Sequence, residues 1–117
     1  MNKIVLLGKL IKNPELRTTE SGDKVRTTFI IAVERNFKSV DGTRKSDFIR
    51  VTAWGKKAQI LCEYLKKGDS ISLSGRLRTG SYEDESGNKR YIAEVIAEDF
   101  SFVDSKREKT FSENMAQ

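Results

Sequence analysis

Most of the chain alternates apolar and polar residues at a period of two, the spacing of a half-buried β-strand, and one stretch repeats at helical spacing instead. Residues 4–11 are almost continuously apolar and stop at Asn13-Pro14, which predicts a strand buried on both faces followed by a turn. One face of that strand would fill a core and the other would meet a second subunit. Residues 16–19 carry strand character on to the turn signal Glu20-Ser21-Gly22-Asp23. Beyond it Val25, Thr27, Phe29, Ile31 and Val33 alternate with Arg26, Thr28, Ile30, Ala32 and Glu34, a long strand with Phe29 on its core side. Residues 35–46 lack an apolar period, contain Phe37 and the turn Asp41-Gly42, and predict a long hairpin loop.

Residues 47–54 resume the strand period, and Gly55 then introduces residues 56–67, where Ile60, Leu61, Tyr64 and Leu65 recur as on a helix that packs one face. Gly68 is the expected residue just past its C-terminus. Ile71, Leu73, Gly75 and Leu77 next alternate with Ser70, Ser72, Ser74, Arg76 and Arg78, a hairpin loop falls at residues 85–88, and a return strand covers residues 90–97. Phe100 and Phe102 close the apolar pattern, and residues 104–117 read as a short, polar, disordered tail. The predicted fold is all-β, a five-stranded OB-fold barrel over residues 1–103 with one short helix between strands three and four and long hairpin loops.

Composition narrows the chemistry. The 117 residues suit one small domain whose modest core favours burial against a partner subunit. There is no His, so imidazole acid/base catalysis, His-activated nucleophiles and imidazole metal ligands are excluded. The single Cys62 cannot form an internal disulfide and is expected to be a buried structural thiol. Neither Gly8-Lys9 nor Gly55-Lys56 has the spacing of a phosphate-cradling loop, and Glu83-Asp84-Glu85 is expected to be a solvated hairpin tip, not a metal site. No enzyme activity, cofactor or metal is therefore expected. The apolar run at the N-terminus is too short for a signal segment or a membrane span, so a soluble, cytoplasmic protein is expected.

The formal net charge of +5 is unevenly spread: residues 1–80 hold 17 Lys and Arg against 8 Asp and Glu, and residues 81–117 hold 5 against 9. A negatively charged partner for the first two-thirds follows. In strand 47–54 the parity rule puts Phe48, Arg50, Thr52 and Trp54 on one face and Ile49, Val51 and Ala53 on the other. The core is served by the second set, which leaves two large aromatics outside beside a guanidinium. Such a surface is costly in water unless something stacks on it, and the bases of single-stranded nucleic acid do so while their phosphates pair with cations. Arg76, Arg78 and Tyr82 share the corresponding outward parity one strand on, and Phe37 lies in the first loop among Lys38, Arg44 and Lys45. Tyr91 and Phe102 could belong to either the core or a contact surface.

These residues resemble the bacterial single-stranded DNA-binding proteins over about residues 1–103. The likeness is carried by Asn2-Lys3-Ile4-Val5-Leu6-Leu7-Gly8-Lys9-Leu10 with Asn13-Pro14-Glu15-Leu16-Arg17, by Phe48-Ile49-Arg50-Val51-Thr52-Ala53-Trp54-Gly55-Lys56, by Glu63-Tyr64-Leu65-Lys66-Lys67-Gly68, and by Gly75-Arg76-Leu77-Arg78-Thr79 with Tyr82. The resemblance implies a homotetramer that wraps single-stranded DNA without sequence preference and protects it in replication, recombination and repair. It also implies base stacking on Phe37, Phe48, Trp54 and Tyr82, and phosphate contacts from Lys3, Arg50, Lys56, Lys67, Arg76 and Arg78, with Lys9 and Arg17 as weaker candidates. Phe37 and Tyr82 stand where many members have Trp. Family members usually end in a long linker and an acidic tip that recruits other enzymes, whereas residues 104–117 balance Lys106, Arg107 and Lys109 against Asp104, Glu108 and Glu113. The expectation is a tailless form in which recruitment by that route does not operate. The competing readings are a primosomal-type OB accessory protein, a protein-interaction module using the same aromatic face and, last, a small nuclease.

Overall fold

The computed structural model describes residues 1–103, so the polar segment 104–117 lies outside the described residues. The elements run β1 (Ile4–Leu10), β2 (Leu16–Thr18), β3 (Val25–Glu34), β4 (Ser46–Trp54), α1 (Gly55–Tyr64), β5 (Ser70–Glu83) and β6 (Lys89–Phe102). The strands are ordered β1-β5-β6-β4-β3-β2, and β1 also pairs with β3 through Lys9 opposite Ala32 and Leu10 opposite Ile31. That second pairing closes β1, β5, β6, β4 and β3 into a five-stranded barrel, as an OB fold requires, and leaves the short β2 as a flap on β3.

Alternation along each strand fills the barrel. Leu10, Phe29, Ile31, Val51, Ala53, Ile71, Leu73, Val95 and Ala97 point inward, and α1 seals one opening with Ala58 and Leu61. The chain turns from β4 into the helix at Gly55, whose φ of 65° is a left-handed conformation that L side chains rarely adopt. Among the described residues no helix is long and apolar enough to cross a membrane.

Several sequence expectations need correction. The helix ends at Tyr64 rather than near residue 67, because Leu65 is extended, with φ −105° and ψ 144°, and is buried at 2% exposure beside the core. Gly68 therefore does not follow the helix end directly; its N–H donates to the Leu10 carbonyl at 2.8 Å in the turn that returns the chain to the barrel. The last strand runs through residue 102, where Phe100 and Phe102 pack against the core with ring centroids 5.7 Å apart. Phe102 also meets the half-exposed Tyr64 ring at 5.7 Å. Cys62 is only partly buried. In β1 only the face holding Ile4, Leu6, Gly8 and Leu10 turns inward, and Val5 and Leu7 stay exposed because no element among the described residues covers them. Leu77 shares the parity of Ile71 and Leu73 yet is exposed, since its part of β5 has left the barrel.

Candidate functional site

The outward face of β4 is the centre of the candidate site. Its neighbours follow from the β3–β4 register, which sets Arg26 opposite Trp54, Thr28 opposite Thr52, Ile30 opposite Arg50 and Ala32 opposite Phe48. Directly opposed residues of an antiparallel pair project to the same side. Phe48 is 67% exposed and Trp54 is 38% exposed, whereas Val51 and Ala53 between them are fully buried. The aromatics are thus outside because the alternate positions already fill the core.

Two cross-strand rows extend this face. In one, Arg17 on β2 lies opposite Arg26, which lies opposite Trp54, and the Arg26 guanidinium stands 5.9 Å from the Trp54 ring centroid. In the other, Lys9 on β1 lies opposite Ala32, which lies opposite Phe48. Lys56, in the first turn of α1, lines a groove of about 520 Å³ with Trp54 and Lys24. On the other side of β4, β6 is followed by β5, whose Arg76 lies opposite Ile96 and whose Arg78 lies opposite Glu94. Among the described residues Arg50 and Arg76 have no ion-pair partner, whereas Arg78 meets Glu94 at 3.1 Å. Arg17 pairs with Glu15 at 3.1 Å and Lys3 with Glu98 at 4.0 Å, both exposed pairs that hold their cations weakly. Lys67 sits in the turn after α1, where its backbone N–H donates to Asn13 Oδ1 at 2.7 Å, and no pairing joins it to the β4 face.

Phe37 and Tyr82 sit on projecting segments. Phe37 is 70% exposed in the loop between β3 and β4, whose base is closed by Arg35 donating to Asp47 at 2.8 Å and by the Arg35 N–H donating to the Lys45 carbonyl at 2.9 Å. The Arg35 hydrogen bond holds the Asp47 carboxyl below its ordinary range. At the loop tip Asp41 accepts hydrogen bonds from Ser39 and from the Thr43 hydroxyl and amide, which lower its pKa to about 2. Tyr82, 54% exposed, lies opposite Arg90 near the tip of the β5–β6 hairpin. There Glu83 and Glu85 are exposed, and between them the half-buried Asp84 adds local order: its carboxylate accepts from the Ser86 and Asn88 amides at 3.0 and 2.9 Å and from Arg90 at 2.8 Å. These bonds, the Asn88 amide first, lower its pKa and fix the turn. Among the described residues no group of three or more His, Cys, Asp or Glu could hold a metal ion.

Sequence reasoning passed over Arg26 and Glu94 as members of this surface. Arg26 has outward parity in a strand that was legible; its position against Trp54 depends on register. Glu94 lies between β4 and β5, where Thr52 donates to its Oε2 at 2.8 Å and Arg78 to its Oε1 at 3.1 Å.

Residues 1–103 match the single-strand binding protein family. The chain is 43% identical over 108 residues to single-stranded DNA-binding protein 1 of Clostridium acetobutylicum, covering 92% of this chain and 98% of that protein. It is 45% identical over 104 residues to the single-stranded DNA-binding protein of Clostridium tetani, covering 89% and 71% of the two chains. With the protein of the same name from Enterococcus faecalis it shares 41% identity over 106 residues, 91% of this chain and 56% of that one.

Proposed function

Because the chain belongs to the single-strand binding protein family, we propose that it binds single-stranded DNA without sequence preference and protects it in replication, recombination and repair. The observation that carries this reading is the outward face of β4, where exposed Phe48 and Trp54 flank Arg50 while the inward face of the same strand is buried. Bases would stack on Phe48 and Trp54 and on the projecting Phe37 and Tyr82, each stack contributing about 1–3 kcal/mol. Stacking needs only a π-face, so it accepts any base. Arg50, Lys56 and Arg76 would neutralise phosphates along the same face, with Lys3, Lys9 and Arg17 at its margins; Lys67, in the turn after α1, would reach only a strand that runs beyond this face, and Arg78 is held by Glu94. Binding of this kind is the whole activity, and no step of it breaks a covalent bond. A cytoplasmic homotetramer fits, since Val5 and Leu7 on β1 offer an apolar surface to a second copy.

Trp54 is the sole tryptophan, so its fluorescence reports the site directly. Titration with oligo-dT at physiological salt is expected to quench it deeply and saturably, and duplex DNA of matched length is expected not to. No quenching by either polymer would overturn the reading and leave the face as a docking surface for a partner chain. Trp54→Ala, followed by anisotropy of a labelled oligonucleotide, should weaken binding by about 1–3 kcal/mol per contact and keep the salt slope. Arg50→Ala should instead flatten the log–log salt slope by about 0.7, the value of one phosphate neutralised on a single strand.

A further inference from the structure

Glu94 is out of place on a face that meets a polyanion. It lies on the outward side of β6, in the groove that Phe48 and Arg50 also line, and its side chain is only 13% exposed. A carboxylate there repels phosphate, so a surface selected for affinity alone would carry an amide or an apolar residue. Both of its oxygens are engaged: Oε2 accepts from the Thr52 hydroxyl at 2.8 Å and Oε1 from Arg78 Nη1 at 3.1 Å. Thr52 is itself buried and shares a hydrogen bond of 2.9 Å with Thr28. Four strands are thus joined in one polar chain from Thr28 through Thr52 and Glu94 to Arg78. The carboxylate is fixed by the barrel, and the guanidinium, on a side chain 56% exposed, comes to it.

We propose that Glu94 is a built-in counter-anion that holds Arg78 off the polynucleotide and so limits affinity and lets the strand leave. The proposal rests on the single-stranded DNA reading above. A guanidinium paired to a fixed carboxylate presents no net charge to a passing phosphate, so that phosphate keeps its condensed cation and the contact adds nothing to counterion release. Arg50, Lys56 and Arg76, with no such partner among the described residues, carry the larger electrostatic part of binding. Glu94 acts through Arg78 and is a positioning residue.

The test is a set of oligo-dT titrations of the full chain at several salt concentrations. Glu94→Gln keeps an acceptor for Thr52 and removes the ion pair; it should bind on the order of three- to tenfold tighter, with a log–log slope steeper by about 0.7 per engaged subunit. Glu94→Gln combined with Arg78→Gln should return the slope to that of the unaltered chain. Arg78→Gln alone changes an exposed side chain and leaves the barrel intact, and it should keep the unaltered slope. The proposal is overturned if Glu94→Gln leaves the slope unchanged, or if either variant lacking Arg78 is flatter than the unaltered chain by about 0.7, because Arg78 would then already touch phosphate. Failure of the unaltered chain to bind oligo-dT sinks the functional reading itself, whereas binding with these slope outcomes overturns only the role of Glu94.

Discussion

In the first part of β5, from Ser70 to Gly75, buried residues alternate with half-buried ones, and from Arg76 to Glu83 every residue is exposed, although both parts pair with the same strand β6. The change falls at the register shift between Ser74 and Gly75. Before it, Ile71 and Leu73 fill the barrel; after it, the ribbon becomes an arm carrying Arg76, Arg78 and Tyr82. One pair of strands therefore does two jobs, and the boundary is a single bulge that bends and twists the ribbon away from the core. Stability should be concentrated on one side of it and DNA affinity on the other.

The widest separation is expected from substituting each side in turn. Leu73→Ala removes a side chain that is 2% exposed and should cost about 2–5 kcal/mol of folding stability, read from denaturant unfolding, while the molecules that remain folded keep their affinity for oligo-dT. Tyr82→Ala should do the reverse, with stability within about 1 kcal/mol of the unaltered chain and binding weaker by about 1–3 kcal/mol. If Tyr82→Ala unfolds the protein as readily as Leu73→Ala, the arm is part of the core and the division fails.

A smaller effect is expected at the boundary itself. A Cβ at position 75 would lie 2.0 Å from the Ile96 carbonyl oxygen, a backbone atom that moves only if β6 moves. Gly75→Ala should therefore cost about 1–3 kcal/mol through strained packing. Because the strain sits where the arm leaves the barrel, the substitution should lower both stability and affinity, which neither Leu73→Ala nor Tyr82→Ala does. A loss of stability alone would mean that the arm's direction is set elsewhere.

Much of this division can be read from the sequence, and the limits are physical. Parity alone assigns Phe48, Arg50 and Trp54 to one side of β4 and Val51 and Ala53 to the other, so the central part of the site is legible from residues 47–54. Parity says which side a residue takes and not whether that side is covered. Leu77 consequently reads as core although the arm has carried it out, and Val5 and Leu7 read as buried although none of the described residues lies over them. The cross-strand partners are less legible still. Arg26 beneath Trp54 depends on the β3–β4 register across a long loop, and Glu94 against Arg78 depends on the β5–β6 register and its bulge. The helix end was missed because Leu65 satisfies helical periodicity while being buried in an extended conformation.

The smallest expected effect compares the barrel with the other projecting segment, the loop between β3 and β4. Its tip is organised by Asp41, whose carboxylate accepts from Ser39 and Thr43 and whose pKa is lowered to about 2. A carboxyl with a depressed pKa contributes to the folded turn above its ordinary value of 3.8, and the contribution disappears as the pH falls through about 2. The residues packed inside the barrel include no carboxylate, so protonation of Asp41 should act on this loop and leave the packing of the core unchanged. Two-dimensional NMR across that pH range should show the Thr43 amide shifting with a midpoint near 2 while the amides of Ile31, Val51 and Leu73 hold their positions. Ser39→Ala, which removes the hydrogen bond that contributes most, should move that midpoint up toward 3.8. A Thr43 midpoint already near 3.8 in the unaltered chain would show that the tip of the loop that holds Phe37 is not built in advance of binding.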